Sequence, residues 1–173
     1  MGLSSNLSAP ARLARTRMGE RVGGFIYGTI VALSVIVAGA RAYPHGPGHI
    51  AVLVGVTCVI FWMTHVYAHG LGHAVAREEH LTLAELGHIA RREGSVVEAA
   101  VPPVAVLLLG AAGILSPSSA TWLAFGTGLL VLVAQGLVFA HVERLGPLAT
   151  LAVASANLGL GLLLAALKLL LSH

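Results

Sequence analysis

Charge and cysteine are both scarce in this chain, and each shortage excludes a class of protein. Only 10% of its 173 residues are charged, against roughly 25% in an ordinary soluble domain, too little ionic surface to clothe a water-exposed fold. Its one cysteine, Cys58, cannot form an intramolecular disulfide and says nothing about redox compartment. The formal net charge of +3 comes from arginines spread over several connecting segments, so it does not point to nucleic acid. Residues 1–20 are basic but have no apolar core beside a small-residue cleavage site, which argues against a removable signal peptide and for a first span kept as an anchor.

What the chain has in excess is apolar length. Hydrophobic residues make up 57% of it. Stretches at about 22–42, 49–76, 96–116, 119–142 and 147–171 are each near the roughly 20 residues a helix needs to cross a bilayer. Lipid offers no partner to unpaired backbone groups, so all five are expected to be helices. The predicted fold is therefore all-α: a polytopic integral membrane bundle of five transmembrane helices forming one domain over 22–173, preceded by a basic segment at 1–21.

The arginines orient this bundle. Arg12, Arg15, Arg17 and Arg21 precede the first stretch, Arg77, Arg91 and Arg92 lie between the second and third, and Arg144 lies between the fourth and fifth. Only Arg41 and Lys168 fall at the opposite face, the latter placed to snorkel. The positive-inside rule then puts the N-terminus in the cytoplasm and the C-terminus outside, in a membrane of the bacterial cytoplasmic type. All the acids, Glu20, Glu78, Glu79, Glu85, Glu93, Glu98 and Glu143, also fall on or near the inner side.

Between the second and third stretches, Thr82 and Glu85 have capping-box spacing, and Leu83, Leu86, Ile89 and Ala90 share one helical face. This predicts a short amphipathic helix over about 82–93, lying on the inner membrane surface or over the mouth of the bundle. Gly94 is expected to end it and Ser95 to cap the next helix. The outer connection Tyr43-Pro44-His45-Gly46-Pro47-Gly48-His49 is rich in turn formers. Gly24 with Gly28, Ala152 with Ala156 and Ser155 with Gly159 are small-xxx-small pairs, which serve close packing within a bundle or between subunits. Pro102 and Pro103 remove two backbone donors and invite a bend in the third span.

The chemistry is concentrated in the second stretch. His65, His69 and His73 recur every four residues, on one helical stripe with Cys58 and Trp62. At 1.5 Å rise per residue, His65 falls about 4 Å, His69 about 10 Å and His73 about 16 Å to the cytoplasmic side of the span's midpoint. The first two are thus buried in hydrocarbon or protein, and His73 is interfacial. The same arithmetic places Glu98 about 11 Å, Gln135 about 8 Å, Tyr27 about 8 Å, Thr29 about 4 Å and Ser155 about 5 Å into the inner halves of their spans, with Asn157 near the centre of its own. A layer of polar groups from all five spans is predicted there. Ionisable groups at such depth are costly and mark pathways or paired interiors.

His65, His69 and Glu98 together supply two nitrogens and a carboxylate, a donor set for a divalent transition metal, and equally a route for protons. Mutual hydrogen bonding within the bundle is the competing structural account. A membrane metalloprotease is not expected, because Val66 stands where a glutamate follows the first histidine in zinc hydrolases. His141 and Glu143 lie at the inner end of the fourth span, where they either extend the path or are solvated. Glu85 and His88 have the spacing of a carboxylate di-metal motif, but one copy on a loop helix reads as a surface pair.

The segment Arg21-Val-Gly-Gly-Phe-Ile-Tyr-Gly-Thr-Ile30, the cytoplasmic segment between spans two and three, and the small-residue stretch Ala152 to Gly161 resemble, in layout, the vacuolar iron transporter family. That resemblance implies a dimer of five-helix protomers with an ion path near the first helix. Where the family carries an aspartate in its first span, this chain has Tyr27, Gly28 and Thr29, and its cytoplasmic segment has fewer glutamates. No ligand of the family carries over.

The leading expectation is a small homo-oligomeric transporter or channel for a divalent transition metal or protons. Its path is lined by His65, His69 and Glu98, with Tyr27, Thr29, Cys58, His73, Gln135, His141, Glu143, Ser155 and Asn157 as further candidates. The alternatives are a non-transporting membrane partner and, on a pairing with His141, a b-type haem protein.

Overall fold

The computed structural model describes the backbone of residues 9–77, 82–143 and 145–171. Glu78, Glu79 and Arg144 lie outside the described residues, as do the side chains of Arg12, Arg15, Arg17, Glu20, Arg77 and Lys168. The chain is all-α, with no strand among the described residues. Its helices are α1 (Ala9–Ala42), α2 (Pro47–Arg77), α3 (Leu83–Arg92), α4 (Ser95–Glu98), α5 (Val101–Ala111), α6 (Pro117–Val142) and α7 (Pro147–Leu171).

Three of these contain segments long and apolar enough to cross a membrane: Arg21–Ala42, Pro47–Val75 and Pro117–Val142. A fourth crossing is available if Leu83–Glu98 and Val101–Ala111 count as one bent element, and Pro147–Gly161 is a shorter apolar stretch within α7. The basic segment ahead of the first stretch is helical from Ala9 and continuous with α1.

α1 occupies the middle of the bundle, packed against α2, α4, α6 and α7, and α5 fills the space between α2 and α6. Ala32, Leu33, Ile36 and Val37 of α1, Ile50, Val54 and Cys58 of α2, Leu107 of α5, and Ala124 and Phe125 of α6 form one dry cluster. This cluster lies towards the Tyr43 turn, so that half of the bundle is closed. Apolar side chains gain little by leaving lipid for protein, and small residues that bring backbones together supply the contacts instead. Gly128 admits Leu33, and Gly110 admits Ala120 and Pro47.

The third apolar stretch, 96–116, is interrupted near the two prolines expected to bend it. α4 gives way to α5 at Ala99 and Ala100, with a bend of 52°. The cause lies two residues on. Pro102 and Pro103 have no N–H, so the Ala99 carbonyl loses both its i+3 and its i+4 donor and the Glu98 carbonyl its i+4 donor. Both prolines sit comfortably in the first turn of α5, where those donors are not needed.

The other flank of the break is seated on α1. A methyl group at Gly28 would stand 2.9 Å from Val96 Cα and 3.0 Å from Ala99 Cβ, and one at Gly24 would stand 2.5 Å from Ser95 Oγ. The Gly24–Gly28 pair is therefore used within the chain, to hold the broken element. Ser95 is not a cap, contrary to expectation. The backbone stays helical through Gly94 (φ −57°, ψ −21°), so Ser95 enters α4 as a buried residue against Gly24.

α3 has the predicted capping box: Glu85 N donates to Thr82 Oγ1 at 3.3 Å and Thr82 N to Glu85 Oε2 at 3.0 Å. Ile89 is its buried residue, and Trp62 Nε1 of α2 donates to Ala90 O at 2.9 Å. The indole thus ties the end of α3 to the histidine-bearing helix.

Candidate functional site

The histidine stripe is present on α2 as its periodicity demands, and of the neighbours matched by depth it meets Tyr27 but not Glu98. His65 is half-buried; its Nδ1 lies 3.0 Å from Phe61 O, one turn back on the same helix. The Tyr27 ring of α1 packs on it with centroids 5.1 Å apart, and Phe61 completes an aromatic group with Tyr27 at 5.9 Å. His69 follows one turn later, its ring edge-on to His65 at 6.1 Å.

The acid that reaches the stripe is Glu93. Its Oε1 lies 2.8 Å from His69 Nδ1, and its side chain is only 12% exposed. Glu98, the acid matched by depth, turns the other way and pairs with Arg21, Nη2 to Oε2 at 2.9 Å and to Oε1 at 3.3 Å. Pro102 and Pro103 explain the difference: a straight third span would carry Glu98 inwards, whereas the break sets α4 alongside α1 and leaves the α3–α4 junction beside α2. Glu93 was legible only as a loop acid. The overlooked signal is that Leu86, Ile89, Ala90 and Glu93 continue one stripe of the amphipathic helix, so an acid stands on its buried face.

Beyond His69 the stripe opens into a cleft of about 360 Å³, lined by Ala68, His69, Gly72, His73, Ile89, Arg92 and Glu93. His73 is exposed at its rim. A second cleft of about 330 Å³ lies at the far end, where Tyr43 stacks on His49 at 5.1 Å.

The remaining candidates do not gather here. Thr29 is fully buried and donates to Phe25 O of its own helix at 2.8 Å. Cys58 belongs to the dry cluster. Asn157 is buried where Gly136 makes room for it, and its Nδ2 donates to Leu132 O at 3.3 Å, binding α7 to α6. Gln135 is half-buried, Ser155 is exposed, His141 is exposed near the end of α6, and Glu143 is its C-cap residue. α1 packs against both α2 and α7 and stands between them, with no extensive packing of α2 on α7 among the described residues. The expected single polar layer is therefore divided into a Tyr27–His65–His69–Glu93 row on one side of α1 and a structural Asn157 contact on the other.

Among the described residues no group of three or more His, Cys, Asp and Glu side chains is arranged to hold a metal ion. The row offers two imidazoles, each with Nδ1 engaged, and one carboxylate shielded from solvent. Compared with protein-family models, curated proteins and solved structures, the chain matches none.

Proposed function

We propose that this chain is a small membrane transporter or channel that passes a cation along the row Tyr27, His65, His69 and Glu93. Glu93 takes the place that depth alone gave to Glu98. The observation that carries this reading is the 2.8 Å contact between His69 Nδ1 and a carboxylate that is 12% exposed. A carboxylate that is largely withdrawn from solvent, paired with a histidine and bordering a cleft is a group able to receive a bound or passing positive charge.

In this reading the bent α3–α4–α5 element is the third crossing and α7 the fifth, with the N-terminus in the cytoplasm of a bacterial-type cell. The closed cluster near Tyr43 bars the outer half at rest, and the cleft at His69 and His73 is the cytoplasmic entrance. Ala152, Ser155, Ala156 and Gly159 are exposed on α7, which supports a homodimer built on that small-residue face.

Flux in proteoliposomes tests the proposal, with a zinc-sensitive and a pH-sensitive dye trapped in the same vesicles. Wild-type protein should carry one of these cations, and His65→Ala combined with Glu93→Gln should abolish the signal. Glu98→Gln should leave most of it. Equal flux in the wild type and the double variant would remove the path, and a wild type that carries neither cation would favour the non-transporting partner.

A further inference from the structure

His65 and His69 engage the same ring nitrogen, and both partners are acceptors only. Phe61 O is a backbone carbonyl at 3.0 Å and Glu93 Oε1 is a carboxylate oxygen at 2.8 Å. Such partners require the proton on Nδ1, so the neutral ring carries its lone pair on Nε2. Neither Nε2 has a hydrogen-bond partner among the described residues.

A histidine that ligates a metal through one nitrogen typically gives its other N–H to a carboxylate or a backbone carbonyl, which fixes the tautomer and raises ligand basicity. One partner of each kind is found here, on consecutive turns. The i, i+4 spacing sets both rings on one face of α2, with centroids 6.1 Å apart. For a metal at about 2.0–2.1 Å from each nitrogen, tetrahedral geometry places the centroids roughly 5 Å apart. Rotation of the two side chains by a fraction of a rotamer well closes the remaining gap of about 1 Å.

We infer that His65 Nε2 and His69 Nε2 form an open two-nitrogen site for a divalent transition-metal ion, with Phe61 O and Glu93 positioning the rings. The ion's role as cargo rests on the transport reading above; its binding does not. Paired imidazoles select zinc, copper, nickel or iron over magnesium and calcium, which want oxygen ligands. The site has two protein ligands and leaves its other positions to water. That suits an ion that must also leave. The neighbouring pair His69 and His73, both lining the cleft, is the competing chelate.

The test is calorimetric titration of the purified full-length chain in detergent with Zn²⁺ alone, then with Mg²⁺ alone. One zinc per chain and no magnesium binding are expected. His65→Ala and His69→Ala should each lose the site, Glu93→Gln should weaken it about 10- to 100-fold, and His73→Ala should bind as the wild type does. His65→Gln and a size-exclusion profile keep a folding defect distinct from a lost ligand. Wild-type affinity in His65→Ala, or as large a loss in His73→Ala as in His69→Ala, would overturn the assignment. Zinc binding without flux removes the transporter and keeps the site; proton flux without zinc binding removes the site and keeps the transporter.

Discussion

His69 and Glu93 stand 24 positions apart in the sequence, yet Nδ1 of the first meets Oε1 of the second at 2.8 Å. The contact joins α2 to the end of α3 and recruits a loop acid into the histidine row. Trp62, two turns before His69 on the same stripe, makes the parallel tie to Ala90 O. Together they fix the helix that borders the cleft.

Removing that pair should loosen α3 more than it destabilises the bundle. The His69 side chain is 56% exposed, so a double-mutant cycle of His69→Ala and Glu93→Ala should give a coupling of about 0.2–1 kcal/mol. Trp62→Phe should cost about 1 kcal/mol through the lost indole bond. In both cases amide exchange over 83–92 is expected to rise while exchange in α6 stays unchanged, as mass-spectrometric deuterium uptake would show.

Gly28→Ala should be among the most damaging single-methyl changes in the chain. The added carbon meets the Val96 backbone and Ala99 Cβ, neither of which can rotate away, and overpacking of this kind costs about 1–3 kcal/mol. Gly23→Ala is the control, since its methyl group would meet nothing within 4 Å. Thermal denaturation in detergent should separate the two; equal midpoints would show that α4 is not seated on Gly28.

Pro102→Ala with Pro103→Ala restores the donors that the Ala99 and Glu98 carbonyls lack. The 52° bend should then open towards a continuous helix. Spin labels at His88 and Ala112, in a Cys58→Ser background, should move apart, and zinc binding should weaken as Glu93 is drawn from His69. An unchanged distance would mean that packing, not proline, holds the break.

Asn157→Ala should lower stability by about 0.6 kcal/mol, the average for hydrogen bonds between membrane helices, and by at most about 1.7 kcal/mol, and leave zinc affinity as in the wild type. Its contact with Leu132 O lies across α1 from the histidine row. A change in zinc affinity would reconnect the two halves of the polar layer.

Helix class, the histidine stripe, the capping box at Thr82 and Glu85, and a bend near the two prolines were all legible in the chain, because each depends on residues within a turn or two of one another. Depth arithmetic, by contrast, placed Glu98 beside the histidines by treating every span as straight. It carried no information about azimuth, so the histidines of α2 and Asn157 of α7 fell into one layer although α1 stands between those two helices. Glu98 meets Arg21 instead, and Ser95 lies against Gly24 rather than capping a helix.

By itself, then, the sequence determined what is local and what the solvent demands. Apolar length requires membrane-compatible helices, the 3.6-residue period puts His65, His69 and His73 on one face, and proline withholds its N–H wherever it stands. Only the tertiary structure decided which acid answers those histidines. That choice depends on how closely backbones approach at Gly28 and Val96 and on where the broken element comes to rest, and a contact between residues on different helices is set by their relative placement rather than by either helix's own pattern.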